Sequence, residues 1–372
     1  MSSDNSVPQT PLVQSLPATV PFVGPETQER SLGRPFKARI GANESVFGPS
    51  PKAIAAMQKA AQEGWKYGDP EFFELRQALA KHHGVAPEEV MVGEGIDGLF
   101  GYTVRLFVEA DTAVVTSLGA YPTFNFHVAG FGGRLVTVPY RDDHEDPEAL
   151  AEAASAERAR LVYLANPDNP MGSWLPAERI ATLAEALPPD CMLVLDEAYS
   201  DFLPADALLP LDTSRRNLLR FRTFSKAHGL AGLRVGYVIG HPEVIDSYNK
   251  IRNHFGLGRV TQAAALAAIE DQDYLAEVVD KVAAARATIG EIAAANGLNA
   301  LPSATNFVAV DCGHDGAFAK RVLASLVEQG VFVRMPGVAP LDRCIRISAG
   351  KAEDLAALAE ALPRALAEAQ QS

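Results

Sequence analysis

Short apolar runs recur along the chain up to residue 239 and are separated by longer segments with helical periodicity. Such runs lie at 90–92, 113–116, 161–164, 192–195 and 235–239. A continuous apolar run of this length, bounded by turn residues, is typical of a strand that is buried on both faces. The pattern therefore predicts an α/β protein whose strands are buried.

The pattern changes after residue 240, where the helical segments become longer. Helices are predicted at 242–272, with an interruption at 253–258, and at 274–296, 316–329 and 353–369. The strands between them are short, at 305–310, 331–334 and 344–348. Helices packed on a few strands indicate a second, smaller α/β domain. We therefore expect a large domain at residues 51–250 and a small domain at residues 251–372.

The amino-terminal part differs from both domains. Residues 1–38 are rich in proline and serine without periodicity, which predicts an extended arm rather than a packed element. We count residues 1–50 as this arm and expect it to join the small domain. Helices should follow at 52–63, where the Ser50 hydroxyl can cap the first turn, and at 71–83.

Length, charge and cysteine content narrow the class of protein. The 372 residues exceed what one simple core usually holds, which supports two domains. A net charge of −13 without a basic block argues against nucleic acid as a partner. Cys191, Cys312 and Cys344 lie far apart and fit reduced thiols better than a disulfide framework or a zinc site. Because the sequence shows neither a secretory signal nor an apolar run that could span a bilayer, we expect a cytoplasmic protein with no metal and no membrane partner.

The residues best suited to catalysis and phosphate binding are concentrated in the segment 223–237. Lys226 lies there between hydroxyl residues and a run of glycine and alanine, with Arg234 eight residues later. A lysine nucleophile needs a neutral amine, which desolvation and nearby cations favour. Thr223, Ser225 and Arg234 can offer two hydroxyl groups and a guanidinium to a phosphate. The combination indicates pyridoxal phosphate (PLP), an aldehyde that carries a phosphate, bound to Lys226 as a Schiff base.

This segment resembles the cofactor lysine segment of class I/II aminotransferases of PLP fold type I, in the branch that contains histidinol-phosphate aminotransferases. The similarity rests on Thr223-Phe224-Ser225-Lys226 and on Ala231-Gly232-Leu233-Arg234-Val235-Gly236. Near the amino terminus, Asn43-Glu44 and Gly48-Pro49-Ser50-Pro51 resemble the first motif of that branch. The residues between them, Ser45-Val46-Phe47, depart from it. The resemblance covers residues 37–365 and implies a PLP-binding large domain, built on a mostly parallel sheet with helices on both faces. It also implies a smaller α/β domain, an N-terminal arm and a homodimer.

A glycine-rich stretch at 93–98 follows the strand 90–92 and spells Gly-x-Gly-x-x-Gly, which alone is a weak dinucleotide-binding signal. A dinucleotide fold needs an acidic residue at the end of the next strand, but 113–116 is followed by Ser117-Leu118-Gly119. The better interpretation is a helix N-terminus whose free N–H groups bind a phosphate. The resemblance implies that Gly95, Ile96 and Asp97 form this phosphate loop, with Ile96 contributing only its backbone N–H.

Two strand ends supply the expected partners of the cofactor ring. Asp196 follows the strand 192–195, where its carboxylate can pair with a protonated pyridine nitrogen. The resemblance places Tyr199 and Asn169 beside the ring oxygen. Asn169 lies in Asn166-Pro167-Asp168-Asn169-Pro170-Met171-Gly172, which is similar to the Asn-Pro-x-Asn-Pro-Thr-Gly of the family. Phe124 is expected over the face of the ring, with Tyr121 as the second choice.

Arg346 is the candidate for binding a substrate anion. It lies in a strand between Ile345 and Ile347, where a buried guanidinium needs either a bound carboxylate or a structural acidic partner. The resemblance assigns Arg346 to the substrate α-carboxylate and adds Asn169 and Asn43 to the substrate-binding residues. Arg334 is a second candidate cation, because the strands 331–334 and 344–348 can pair. The resemblance further implies that Tyr67 reaches the cofactor phosphate of the neighbouring subunit.

The sequence therefore predicts a PLP-dependent aminotransferase that moves an amino group between an amino acid, or an amine like histidinol phosphate, and a 2-oxo acid. A PLP-dependent decarboxylase of the threonine-phosphate decarboxylase type shares these motifs and is the first alternative. A cofactor-binding regulator without turnover is the second. The amino donor stays open between histidinol phosphate and an aromatic or other apolar amino acid.

Overall fold

The structure is a computed structural model that describes residues 7–18 and 23–371. Its helices are α1 (Pro11–Ser15), α2 (Pro25–Leu32), α3 (Pro51–Ala61), α4 (Phe73–His83), α5 (Gly95–Phe107), α6 (Pro122–Gly130), α7 (Pro147–Ala156), α8 (Ala177–Ala186), α9 (Pro242–Ser247), α10 (Arg259–Ile269), α11 (Gln272–Ala295), α12 (Gly316–Glu328) and α13 (Ala352–Gln371). Its strands are β1 (Ala38–Arg39), β2 (Val90–Gly93), β3 (Ala113–Ser117), β4 (Arg134–Val138), β5 (Leu161–Ala165), β6 (Met192–Asp196), β7 (Leu218–Thr223), β8 (Gly236–Gly240), β9 (Asn299–Ala300), β10 (Phe307–Asp311), β11 (Val331–Phe332) and β12 (Cys344–Ser348).

A seven-stranded sheet in the order β2-β8-β7-β6-β5-β3-β4 organises the larger part of the molecule. Neighbouring strands run parallel except β8, which is antiparallel to both β2 and β7. The carboxyl ends of β3, β5, β6 and β7 therefore meet at one edge of the sheet. That edge carries Ser117, Ala165, Asp196 and Thr223. The predicted mostly parallel sheet is confirmed.

Helices cover both faces of this sheet, as the continuous apolar runs predict. On one face, Tyr163 and Phe221 pack with Phe100 of α5 and Phe124 of α6. On the other face, residues such as Leu164 pack with α7 and α8. Because both faces are buried, every residue of the inner strands β5 and β6 is buried, and no exposed side alternates with a buried one.

The strand β7 has no counterpart among the predicted elements. Its sequence contains Arg220 and Arg222, which interrupt the apolar run. Both guanidinium groups bind Glu197, which follows β6 directly, with Arg220 Nη2 at 2.5 Å and Arg222 Nε at 2.9 Å from its carboxylate oxygens. This ion pairing lets two arginines lie in a sheet interior, because charged groups are tolerated there only when they are paired.

The smaller part contains the antiparallel strands β9, β10 and β12, against which α11, α12 and α13 pack. Strand β1 pairs in parallel with β11, which joins the arm to this part. The arm itself is not wholly extended, since α1 and α2 lie within it. Both helices have a proline in the first turn, where its missing N–H costs nothing. Residues 1–6 and 19–22 of the arm lie outside the described residues.

The helix α10 packs with the larger part and not with the smaller one. Ala264 and Ala268 of α10 share a core cluster with Ala53 of α3 and Leu75 of α4. The predicted boundary at residue 250 therefore falls too early, because the interruption at 253–258 separates two helices of the same domain. We propose a boundary near residue 271 instead. Across the described residues, no helix has both the length and the apolar character that crossing a bilayer would need.

Candidate active site

A cavity of about 750 Å³ opens at the carboxyl edge of the large sheet. Its wall is formed by strand ends of the sheet, by the arm and by the segment around β12. The predicted site residues that line it are Asn43, Ile96, Asp97, Asn169, Asp196, Tyr199, Thr223, Ser225, Lys226, Arg234, Arg334 and Arg346. Gly95, Phe124 and Tyr67 are not part of the lining. Most of the site residues predicted from the sequence therefore lie in one cavity.

Lys226 lies in this cavity with its amine held by the arm. Its Nζ donates a hydrogen bond to the backbone oxygen of Asn43 at 3.2 Å and lies 5.5 Å from the centre of the Tyr199 ring. Burial lowers the pKa of Lys226 to about 8, and the charges of Arg346 and Arg234 act in the same direction. A substantial fraction of the amine is therefore neutral near pH 7–8, as a nucleophile requires.

Asp196 faces the same cavity from the end of β6. Its Oδ2 accepts a hydrogen bond from the Tyr163 hydroxyl at 2.7 Å, and its Oδ1 accepts one from the backbone N–H of Ala198 at 2.9 Å. Burial raises the pKa of Asp196 to about 6, against the opposing effects of Tyr163 and Lys226. A cationic partner in the cavity would favour the carboxylate form, because it offsets the cost of burying the charge.

An anion cradle lies where α5 begins. Gly95 has a left-handed φ of 72°, and a Cβ at this position would lie 2.5 Å from Nη2 of Arg234. Arg234 also donates from Nη1 to the Ser225 hydroxyl at 3.3 Å. The side chain of the N-cap residue Glu94 makes no capping hydrogen bond to α5, so the first amides of the helix, including that of Ile96, can bind a ligand. A guanidinium, a hydroxyl and a helix N-terminus together favour a bound phosphate.

Two further arginines, Arg334 and Arg346, line the cavity. Arg346 donates from Nη1 to Oδ1 of Asn169 at 2.5 Å and from Nη2 to the backbone oxygen of Gly41 at 3.3 Å. Its buried Nε has no hydrogen-bond partner among the described residues. The backbone of Arg334 exchanges both N–H···O bonds with that of Arg346, at 3.1 and 2.6 Å. Arg334 Nη2 donates to the backbone oxygen of Val23 in the arm.

Phe124 and Tyr121, the two aromatic candidates for covering the cofactor ring, lie in different places. Phe124 is fully buried in the core, where its ring stacks on Tyr163 with centroids 4.8 Å apart. Tyr121 lines the cavity instead. The difference follows from helix phase: Tyr121 precedes α6 at the edge of the sheet, whereas Phe124 lies inside α6 and turns towards the sheet face. Tyr121 therefore replaces Phe124 as the candidate for covering the cofactor ring.

Asn43 and Tyr67 are placed differently from the other candidates. The Asn43 side chain reaches the cavity wall, but Tyr199 and Ser348 occupy both ends of its carboxamide. Tyr67 is 78 % exposed, and its ring lies 4.9 Å from that of Phe255. It is not among the residues that line the cavity of its own chain.

The sequence reasoning missed two buried acids behind the Asn169 turn. Glu145 accepts from the Ser117 hydroxyl at 2.6 Å and from the Ala165 N–H at 2.8 Å. Asp168 accepts from the Tyr140 hydroxyl at 2.8 Å and from the Met171 N–H at 2.9 Å.

Burial raises the pKa of both carboxyl groups, for Asp168 to about 7. The two acids hold the turn that carries Asn169. Only Asp168 had a signal in the sequence, its place between the two Asn-Pro steps.

The donor set fits PLP in each of its parts. Lys226 can take the aldehyde, Asp196 the ring nitrogen, and the cradle of Arg234 and α5 the phosphate. The close approach of Arg234 to Gly95 and the unpaired Nε of Arg346 support a site that is built for anions. An α/β fold with such a lysine, an acid and an anion cradle at the carboxyl edge of its sheet indicates the class of PLP-binding enzymes.

Comparison with known proteins gives the family. The family model described as "Aminotransferase class I and II" matches residues 37–362. Histidinol-phosphate aminotransferase 2 of Ralstonia nicotianae is 38% identical over 335 residues, which cover 89% of each chain. A histidinol-phosphate aminotransferase of an Anaeromyxobacter species is 36% identical over 91% of this chain and 94% of that protein.

A solved structure extends the likeness to three dimensions. The histidinol-phosphate aminotransferase of Sinorhizobium meliloti, crystallised with pyridoxal-5'-phosphate, has a TM-score of 0.95 and 57% sequence identity, over 98% of this chain and 99% of that one. The chain belongs to the class I and II aminotransferases and is a PLP-dependent aminotransferase of fold type I. The decarboxylase and regulator alternatives are not retained.

Proposed function

We propose that this aminotransferase acts on histidinol phosphate or a closely similar phosphorylated amine, with a 2-oxo acid as the amino acceptor. The observation that carries the proposal is the pair of guanidinium groups, Arg334 and Arg346, on one wall of the cavity. One cationic wall can bind the phosphate of the amine in one half of the reaction and a carboxylate of the 2-oxo acid in the other. The names of the relatives support the same substrate.

The proposed roles of the residues follow from their placement. Bound PLP supplies an electron sink that lets the substrate α-carbon release a proton. Lys226 holds the cofactor and then moves that proton, because its pKa near 8 lets one amine act as base and as acid. Asp196 keeps the ring nitrogen protonated, while Asn169 and Tyr199 bind the ring oxygen.

The phosphate of the cofactor is assigned to the cradle. Gly95, Ile96 and Asp97 offer backbone N–H groups there, and the side-chain donors are Thr223, Ser225 and Arg234. Tyr121 covers the ring face. On the substrate side, Arg346 is hydrogen-bonded to the Asn169 side chain. This bonded pair would position both the substrate anion, at Arg346, and the ring oxygen of the cofactor, at Asn169.

We also propose a homodimer that shares its sites. Four large apolar or aromatic side chains near the start of α4 and the loop before α10 are exposed: Trp65, Tyr67, Phe73 and Phe255. A surface of this kind on one chain is typical of an interface. The Tyr67 ring would then complete the phosphate site of the partner. We place the enzyme in the cytoplasm, in keeping with three free, buried cysteines.

The substrate proposal is tested by steady-state kinetics with 2-oxoglutarate as the acceptor. We expect kcat/KM for histidinol phosphate to exceed that for phenylalanine by at least about tenfold, or roughly 1.4 kcal/mol of transition-state binding. Arg334→Gln should reduce kcat/KM for histidinol phosphate more than that for phenylalanine, since only the former carries a dianionic phosphate. A ratio below about tenfold, or equal losses in the variant, would reject the phosphate-specific function while leaving the aminotransferase class intact.

A further inference from the structure

Asn43 occupies an unusual position between the two parts of the molecule. It lies in the arm after β1, is only 2 % exposed, and has a left-handed φ of 56°. Among residues other than glycine, asparagine tolerates this conformation best, but it is still uncommon. The contacts of a strained, buried residue in the wall of the active-site cavity should explain why its conformation is retained.

Asn43 forms five hydrogen bonds, which engage both ends of its carboxamide and its backbone N–H and carbonyl. Its N–H donates to the Ser348 hydroxyl at 3.0 Å, and that hydroxyl donates to its Oδ1 at 2.8 Å. Its backbone oxygen accepts from Asn306 Nδ2 at 3.0 Å and from Lys226 Nζ at 3.2 Å. Its own Nδ2 donates to the Tyr199 hydroxyl at 3.0 Å.

These partners belong to different parts of the chain. Ser348 ends β12 and Asn306 precedes β10, so both lie in the smaller part. Lys226 and Tyr199 follow β7 and β6 of the large sheet. Asn43 is therefore a bridge between the small sheet and the two groups proposed to act on the cofactor.

The direction of the Tyr199 bond has a chemical consequence. Because Asn43 Nδ2 is a donor, the Tyr199 oxygen accepts there and keeps its own proton for another acceptor. Tyr199 lies against the cavity, so that proton can be donated to a group bound inside it. The carbonyl of Asn43 in turn gives the Lys226 amine an acceptor whenever the amine is free of the cofactor.

We propose that Asn43 is a positioning residue, not a substrate ligand: its carboxamide orients the Tyr199 hydroxyl as a donor to the ring oxygen of the cofactor, and its carbonyl holds the free Lys226 amine. The inference rests on the roles proposed above for Tyr199 and Lys226. Asparagine suits this place because it combines a donor, an acceptor and tolerance of the left-handed backbone. Aspartate would offer Tyr199 an acceptor instead and would turn its proton away from the cavity.

The test compares Asn43→Gly, Tyr199→Phe and the double variant, each loaded with PLP. Glycine keeps the left-handed backbone and the carbonyl, and it removes only the carboxamide. The readout is the pH midpoint of the visible absorbance change of the bound cofactor, which follows the protonation of the lysine nitrogen. A hydrogen bond to the ring oxygen withdraws negative charge from beside that nitrogen and lowers its pKa.

We expect each single variant to raise the midpoint by roughly half a pH unit or more, and the double variant to raise it no further than the larger single shift. Ser45→Ala is the matched control, because its buried hydroxyl lies on the same segment and has no hydrogen-bond partner among the described residues. It should leave the midpoint unchanged.

The remaining outcomes overturn the inference in distinguishable ways. Additive shifts would mean that Asn43 does not act through Tyr199. A normal midpoint in Asn43→Gly beside a shifted one in Tyr199→Phe would remove the role of Asn43 alone. An unshifted Tyr199→Phe would remove the proposed role of Tyr199 together with the inference. An equal shift in Ser45→Ala would assign the effect to a general disturbance of the segment.

Discussion

The guanidinium of Arg234 lies against the main chain of Gly95, so closely that a Cβ on Gly95 would come within 2.5 Å of Nη2. The pair brings a cation to the N-terminus of α5. Glycine is required on two counts, because the backbone there also has a φ of 72°.

We expect Gly95→Ala to weaken PLP binding by about tenfold or more, or roughly 1.4 kcal/mol, because Arg234 must move away from the phosphate site. The dissociation constant of PLP from the apoenzyme, measured by fluorescence, checks this. Gly232→Ala is the matched control, since a Cβ there meets no atom within 4 Å. Equal effects of the two substitutions would contradict a specific contact between Arg234 and the helix start.

Lys226 should carry the cofactor covalently. Reduction of the enzyme with borohydride, followed by peptide mapping, should add the pyridoxyl mass to the peptide that contains Lys226. Lys226→Ala should abolish this label and the turnover, whereas Lys250→Ala, a substitution in the turn after α9, should abolish neither. A label on another lysine in the unmodified chain would refute the assignment.

Asp168 should make the folded protein less stable as the pH rises. Its pKa is raised by burial from 3.8 to about 7, so the folded state keeps a proton that the unfolded state releases. The stabilisation from this group is complete below pH 4 and is lost as the pH rises to about 7.

Asp168→Asn lacks this loss and should gain stability relative to the unaltered protein between pH 5 and 8, by on the order of 2 kcal/mol. Urea unfolding of both proteins at several pH values gives the difference. The exposed Asp206→Asn is the control for the same change of residue at a surface position. If the free energies of unfolding of Asp168→Asn and of the unaltered protein changed with pH in the same way, the Asp168 carboxyl would already be ionised in the folded protein.

Subunit mixing tests the shared site. Tyr67→Ala and Lys226→Ala should each be nearly inactive, but a mixed dimer holds one site with both residues intact. After the two variants are refolded together in equal amounts, we expect about a quarter of normal activity, because half of the dimers are mixed and each has one working site. No recovery despite mixing shown by native mass spectrometry would reject the role of Tyr67 across the interface.

The residues that sequence reasoning placed correctly in the cavity share one property: each lies in a local pattern that fixes its geometry. Asp196 and Thr223 are strand ends, and Lys226 follows a strand within a distinctive segment. The misplacement of Phe124 arose because the sequence does not fix the phase in which α6 begins, and one turn separates the cavity from the core.

Long-range partners could not be read from the sequence at all. Glu145 lies in a loop before α7 and acquires its meaning only when Ser117 and Ala165 come beside it. The same holds for Glu197, whose pairing with two arginines turns an apparently polar segment into the interior strand β7. Interactions of this kind depend on how elements pack, which local periodicity does not encode.

The main-chain pairing of Arg334 with Arg346 matters for inhibitor design. Residues that exchange both N–H···O bonds across an antiparallel bridge have their Cα atoms about 5.5 Å apart, a spacing that the backbone and not the flexible side chains sets. A small molecule with two acidic groups at one end can therefore be matched to two guanidinium groups whose main-chain positions are fixed. Its selectivity over enzymes that present one arginine to their substrates would come from the second acidic group. The rest of the molecule could be varied independently, toward the end of the cavity that is proposed to hold the pyridine ring.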